Sequence, residues 1–167
     1  MKQLFLIRHA KASHDIPSIR DIERPLTERG FHDAALVSGQ LKKEFAAEGI
    51  FVSSPAVRAY STALVFSAAY QVQGDSILLD NRLYDSEVAD YFEVIRELPS
   101  SMSSAFIFGH NDVISETAFK LLKDPSVESL RTCGVVWIGS EALTWKDFVS
   151  TPCTCELQLY PALIKEV

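Results

Sequence analysis

Leu4-Phe5-Leu6-Ile7-Arg8-His9-Ala10-Lys11 is the stretch on which the fold turns. Four apolar residues in succession describe a short strand buried on both faces. An arginine and a histidine follow at the point where that strand ends. In an open α/β sheet, ligands bind beyond the carboxyl ends of the strands. Arg8 offers a planar fork of donors that matches phosphate oxygens. His9 offers a ring nitrogen that is neutral and nucleophilic near pH 7. The pair points to phosphoryl chemistry, with His9 attacking phosphorus and Arg8 holding its oxygens. A strand that merely stops at polar residues and turns would read the same way, so the remainder of the chain has to decide.

The 167 residues suffice for one domain, residues 1–167, around one core. An apolar fraction of 47% and a charged fraction of 23% describe an ordinary globular chain rather than a disordered one. The net charge of −6 is dispersed, with no long basic run, which argues against a nucleic-acid or anionic-membrane surface. A phosphate site in this chain must therefore be a local gathering of cations. The apolar run at the N-terminus is too short for a signal peptide, and no run reaches the length of a membrane span. Three cysteines, an odd number, fit free thiols in a reducing compartment such as the cytoplasm. Cys153-Thr154-Cys155 lacks the spacing of a zinc site.

Working outward, residues 11–23 lack a clean period and form a loop. Thr27 is a suitable N-cap for a helix with Glu28 in its first turn. Phe31, Ala34, Ala35, Ser38, Leu41 and Phe45 define the apolar face of that helix, Gly49 follows its end, and His32 lies off the face. Ile50-Phe51-Val52 is a second strand. It leads to a helix with Ser54 as N-cap and Pro55 in its first turn, which places Arg58 one turn inside. A strand at 77–79, a loop at 81–85 and a helix near 87–98 come next. Ala105-Phe106-Ile107-Phe108 is a continuous apolar run suited to a central parallel strand. It ends in Gly109-His110-Asn111-Asp112, and a helix through Leu122 follows. Strands at 134–138, 145–149 and 155–160 complete the chain, the last two as an edge hairpin.

Alternating strands and helices predict an α/β fold, a three-layer α/β/α sandwich with a mostly parallel sheet. Arg8-His9, Ser54 with Arg58, and Gly109-His110 each follow a strand, so all three clusters converge at one edge. Two arginines and two histidines there make an anion pocket with a nucleophile.

The ordered set of motifs resembles the histidine phosphatase superfamily, with its phosphoglycerate mutase-like fold. Within it, the chain is most similar to the small phosphohistidine phosphatase SixA group. Arg8-His9-Ala10-Lys11 stands at the family's Arg-His-Gly motif, and Glu23 to Gly30 resembles the stretch before its first long helix. Ser53 to Ala59 resembles the stretch with the second arginine, Gly109-His110-Asn111 that with the second histidine, and Thr132-Cys133-Gly134-Val135 the entry to a late strand. The resemblance implies that His9 becomes phosphorylated and that Arg8, Arg58 and His110 form the phosphate pocket, with Asn111 beside them. Fixed cationic donors there would stabilise the charge spread over the equatorial oxygens, so no metal or other cofactor is required. Near a phosphate His110 would tend to be protonated, whereas His9 must stay neutral to attack.

Many relatives protonate the leaving group with a glutamate. Here Asp85, at a separation from Arg58 that resembles the family's, is the candidate acid, with Glu87 second; an exposed acidic loop is the competing reading. Asp15 and Lys11, in the loop after His9, are further candidates for substrate contact. The short chain leaves little sequence to roof the pocket, so the expected substrate is phosphohistidine on a partner protein, whose protonated imidazole departs readily. A broad phosphatase acting on small phosphoesters and a catalytically silent phosphate-binding module are the two alternatives.

Overall fold

The structure is a computed structural model, and it describes the chain except residues 126, 128, 166 and 167. Among the described residues six strands form one sheet: β1 (Lys2–Arg8), β2 (Ile50–Ser53), β3 (Leu78–Leu79), β4 (Ser104–Gly109), β5 (Val135–Ser140) and β6 (Cys153–Leu159). Their order is β3-β2-β4-β1-β5-β6. The first four run parallel, β5 is antiparallel to β1, and β6 is antiparallel to β5. The helices are α1 (Glu28–Glu44), α2 (Val57–Tyr70), α3 (Val88–Arg96), α4 (Val113–Leu122), α5 (Trp145–Phe148) and α6 (Pro161–Lys165). None is long and apolar enough to cross a membrane.

The period-2 alternation of β1 divides the core between the two faces of the sheet. Leu4 and Leu6 face α3, α4 and α5, packing with Tyr91, Ile95, Ile114 and Trp145. Phe5 and Ile7 face α1 and α2, packing with Val37, Leu41, Phe66 and Tyr70. This is the three-layer arrangement the alternation of elements predicts. In-register pairing sets Phe5 opposite Phe106 and Phe106 opposite Phe51 on three adjacent strands. Their rings stack at 4.4 and 4.6 Å. Fully buried aromatic pairs of this kind contribute about 0.5–1.5 kcal/mol each beyond the area they bury. They clamp β1, β4 and β2 together just below the edge that carries the polar residues.

Four expectations are corrected. Residues 145–148 are a helix, not a strand, because the Thr144 hydroxyl accepts from Asp147 N at 3.2 Å and caps a turn. The sheet edge is therefore β6 alone, paired with β5. Helix α1 buries Gly30, Asp33, Ala34, Val37, Ser38 and Leu41 and leaves Phe31 exposed, a face rotated from the one the apolar residues suggest. It is stabilised by Lys165 Nζ, 2.8 Å from the buried Asp33 carboxylate. The N-cap of α2 is Ala56 rather than Ser54, whose hydroxyl is engaged elsewhere. Helix α1 ends at Glu44, and Gly49 instead lies where any Cβ would meet the Phe106 ring at 2.6 Å.

Candidate active site

Strands β1, β2 and β4 are neighbours, and the residues following them share one edge of the sheet. The backbone of His9 is fixed on both sides: its N–H donates to Gly109 O at 3.1 Å, and its carbonyl accepts from Cys133 N at 3.1 Å. Ala10 N–H donates to the fully buried Thr62 hydroxyl at 3.0 Å, and that hydroxyl donates to Arg58 O at 2.7 Å. The loop after β1 is stitched to the start of α1 by Ser13 N to Pro25 O at 2.8 Å and Thr27 N to Lys11 O at 2.9 Å. Gly30 permits this approach, since a Cβ there would stand 2.3 Å from Lys11 O. The stitch carries Arg24 to the rim beside His9.

The His9 ring sets its own tautomer. Nδ1 lies 2.7 Å from the Ala10 carbonyl oxygen, which can only accept, so Nδ1 carries the proton. Nε2 is left with the free lone pair. Burial, and after it the charges of Arg58, Arg8 and Arg24, push the His9 pKa down to about 4 against the pull of the Ala10 carbonyl. The His110 ring centroid is 5.3 Å from that of His9. Its Nε2 is 2.8 Å from Ser54 Oγ, and its backbone N–H donates to the Tyr91 hydroxyl at 3.3 Å. Burial and the Arg58 charge push its pKa down to about 3. Without an anion, therefore, both rings favour the neutral form at pH 7. A bound dianion would act in the opposite direction on both rings.

Buried polar atoms are nearly always hydrogen-bonded. Four buried nitrogens among the described residues have no partner: Arg8 Nε, Arg24 Nε, Arg58 Nε and His110 Nδ1. All four belong to residues gathered about His9, and a tetrahedral oxyanion has the acceptors they lack. Other atoms of these arginines are held by protein: Arg8 Nη1 donates to Leu130 O at 2.9 Å, and Arg58 donates to Asp21 through both Nη atoms. Burial opposes ionisation of Asp21, but the Tyr84 hydroxyl at 2.9 Å and the Arg58 guanidinium hold its carboxyl below the usual range.

Arg8, His9, Arg58 and His110 are thus brought together. Lys11 lines a cleft of about 450 Å³ that opens from Arg8 and His9 and that Arg24 also lines. Asn111 is turned to structural use: its amide donates to Ser129 Oγ at 2.9 Å, and its oxygen accepts from the Ser115 hydroxyl. Asp15 and Asp85 are exposed, Asp85 in the left-handed backbone region at φ 52°, and neither lines the cleft. Glu87 caps α3 with Asp90, whose carboxylate accepts from Glu87 N at 2.7 Å. Sequence reasoning missed Arg24, Asp21, Tyr84 and the bond from Ser54 to His110. A signal for Arg24 was present: it directly precedes Pro25 in a motif whose other residues make the stitch. Among the described residues no group of three His, Cys, Asp or Glu side chains could hold a metal ion.

A histidine with a bare ring nitrogen, set among arginines at the carboxyl edge of this sheet, has the chemistry of a phosphoryl-transfer site, and comparison of the chain with known families places it in such a class. Residues 4–126 match the family model described as histidine phosphatase superfamily (branch 1), and the chain belongs to that superfamily of phosphatases. In fold it is similar to SixA phosphatases. It superposes on the structure of the protein histidine phosphatase SixA complexed with tungstate with a TM-score of 0.81, at 21% identity over 97% of this chain and 99% of that one. A mycobacterial glucosyl-3-phosphoglycerate phosphatase complexed with VO3 gives a TM-score of 0.69 at 15% identity, over 94% of this chain and 98% of that one. In sequence, an uncharacterized chloroplastic protein of Arabidopsis thaliana is 28% identical over 158 residues, 87% of this chain and 70% of the relative.

Proposed function

We propose that this phosphatase removes phosphate from phosphohistidine on a partner protein, by way of a phosphorylated His9. The observation that carries the proposal is the His9 ring: Nδ1 committed to the Ala10 carbonyl, Nε2 bare, and three arginines within electrostatic reach. In the first step the Nε2 lone pair forms a bond to phosphorus as the phosphorus–nitrogen bond of the substrate breaks. The departing imidazole keeps the electron pair, on a ring already protonated at its other nitrogen. Arg8, Arg24 and Arg58 balance the charge on the transferred oxygens, and His110 Nδ1 faces the same anion. In the second step the oxygen of water bonds to phosphorus as the phosphorus–Nε2 bond breaks; Nε2 keeps the electron pair, the protons of the water leave with the phosphate as H2PO4⁻, and His9 returns to its neutral form.

The surroundings of the site favour phosphohistidine over an alkyl phosphate. An alkoxide leaving group needs a carboxylic acid kept protonated near pH 7. Asp21, the carboxylate that meets Arg58, is held ionised by Tyr84 and Arg58, and Asp85 stands exposed and does not line the cleft. An imidazole leaving group does not need that acid. We place this activity in the cytoplasm, where the odd number of cysteines fits.

A substrate panel tests the proposal. The kcat/KM for a phosphohistidine peptide should exceed that for phosphoserine and other alkyl phosphates by about 10²-fold or more, the usual worth of general-acid help. Faster turnover of alkyl phosphates would replace this reading with a broad phosphoesterase. Tight phosphate binding without turnover of any substrate would make the chain a phosphate-binding module.

A further inference from the structure

The two ring nitrogens of His110 have different surroundings. Nδ1 is buried without a partner, and Nε2 lies 2.8 Å from Ser54 Oγ. Ser54 is fully buried where the chain leaves β2, and its N–H donates to Phe108 O at 3.0 Å, which ties it to the strand that leads into His110. Its Oγ also accepts from Ala56 N at 3.2 Å. A hydroxyl has one proton to give and two lone pairs. With the Ala56 N–H on one lone pair, the other partner of Oγ among the described residues is His110 Nε2. A ring proton on Nε2 would make Oγ accept twice and leave the buried hydroxyl proton without an acceptor. It would also leave Nδ1 as a bare lone pair beside any bound oxyanion, a repulsive contact. A ring proton on Nδ1 removes both faults: the hydroxyl donates to Nε2, and Nδ1–H is a buried donor awaiting an acceptor. The other groups about the ring do not compete for Nδ1. The rings of His9 and Tyr84 stand 5.3 and 5.8 Å away, centroid to centroid, the Tyr91 hydroxyl takes the backbone N–H, and Arg58, Arg24 and Asp21 act on the ring through charge.

We propose that Ser54 is a positioning residue for phosphoryl transfer: its hydroxyl fixes the tautomer and orientation of His110, so that Nδ1–H is the donor this ring offers to the transferred oxygens. The proposal rests on the reading that the phosphoryl group is bound and transferred at His9. A hydroxyl suits this place because it both donates and accepts. Toward the neutral ring it donates to Nε2. When a bound dianion draws a second proton to the ring, that proton goes to Nε2, and the hydroxyl turns to accept from it. Nδ1–H is therefore kept for the oxyanion in both charge states, and the donor needs no reorganisation as charge develops.

Nitrogen NMR of the histidine-labelled protein reads the tautomer without any substitution in the site, with His110→Ala used only to assign the signals. In the free wild-type protein at pH 7, His110 should be protonated at Nδ1 and unprotonated at Nε2. A neutral His110 protonated at Nε2 would overturn the proposal. A double-mutant cycle tests the consequence for activity. Ser54→Ala should lower kcat/KM for the phosphohistidine peptide about tenfold, less than the outright loss of an oxyanion donor, and should shift part of the His110 proton to Nε2. In a His110→Ala background the same substitution should cost less than about twofold, because the ring it positions is gone. A Ser54 that served only the Ala56 N–H and the start of α2 would cost the same in both backgrounds. Equal losses in the two backgrounds, or an unchanged kcat/KM in Ser54→Ala, would therefore overturn the assignment. If the peptide is not hydrolysed while p-nitrophenyl phosphate is, the phosphohistidine reading fails on its own. The same cycle run on p-nitrophenyl phosphate then decides the role of Ser54: a loss confined to the His110 background supports it, and equal losses overturn it.

Discussion

Asp21 holds Arg58 twice, its main-chain carbonyl 2.7 Å from one terminal nitrogen and its Oδ2 3.0 Å from the other. The two bonds occupy the fork of the guanidinium and leave its Nε as the buried atom without a partner. Asp21 lies on a single 3-10 turn, Asp21–Glu23, between the loop after β1 and the start of α1. It therefore positions an arginine delivered by a different part of the chain. Asp21→Ala should lower kcat/KM about tenfold on every phosphate substrate, because a freely rotating arginine is a poorer fixed donor. Asp21→Asn, which can still accept from Arg58, should recover part of the loss. Full activity in Asp21→Ala would show that Arg58 does not depend on this contact.

The depressed histidine pKa values set the pH behaviour. With His9 at about 4, the proposed nucleophile is still about nine-tenths neutral at pH 5, one unit above its pKa. The acid limb of kcat/KM, corrected for ionisation of the substrate, should fall near pH 4 rather than near 6.5. An acid limb near 6.5 in the free enzyme would contradict the burial of the ring.

The same shifts bear on stability. Both histidines titrate lower in the folded chain than the ordinary 6.5, so as the pH falls the unfolded chain takes up protons first. Their contribution is fully present above about 6.5 and is lost progressively as the pH drops toward 4. Calorimetry should show Tm falling between pH 7 and pH 5, with a smaller fall in His9→Ala. Saturating inorganic phosphate should reduce the fall in the wild type, because the anion favours protonated rings in the native state.

The buried hydroxyl of Thr62 connects the nucleophile loop to α2. Thr62→Val keeps the shape but leaves the buried Ala10 N–H without an acceptor, at a cost of about 1–3 kcal/mol. Denaturant unfolding should register that loss, and kcat should fall with it, because Ala10 carries the carbonyl that fixes the His9 tautomer. Thr62→Ser should restore both. If Thr62→Val lowers neither quantity, the Ala10 backbone is anchored by the neighbouring His9 bonds to Gly109 and Cys133 instead.

The parts of this fold that were legible in the sequence are those whose burial is uniform. Strands β1 and β4 lie between two helical layers, so their apolar runs are unbroken, and the polar residues that end them mark the edge of the sheet. The cap at Thr27 was legible because its hydroxyl accepts from Gly30 N, three residues ahead. The short helix at 145–148 was not, since four residues are too few for a period and Trp145 and Phe148 suit a strand equally well. Its signal was the Thr144 and Asp147 pair, a capping pattern. The buried face of α1 escaped because it includes Asp33, which is tolerable only with Lys165 from the far end of the chain. Arg24 and Asp21 lie in a stretch without periodicity, and the Ala12–Leu26 bridge that brings them to His9 is a long-range pairing no local pattern reveals.

Position is what distinguishes His9 from His110. Both rings are half-buried and favour the neutral form, but His110 Nε2 is engaged by Ser54, whereas His9 Nε2 is bare. A ring whose backbone is tied to both Gly109 and Cys133 and whose Nδ1 is tied to Ala10 has little freedom, which suits a group that must meet phosphorus in line. Covalent catalysis through it would pass through a phosphoramidate, stable in base and labile in acid. Quenching the reaction in alkali with labelled substrate should trap close to one phosphate per active chain, on the peptide containing His9. His9→Ala should abolish both label and turnover while preserving the fold, since β1 is held by the Phe5, Phe106 and Phe51 stack rather than by this side chain. His110→Ala should retain a trappable label but form it more slowly, because that ring contributes an unpartnered nitrogen to the anion and not the attacking lone pair. A label that maps to His110, or substantial turnover by His9→Ala, would reverse these two assignments.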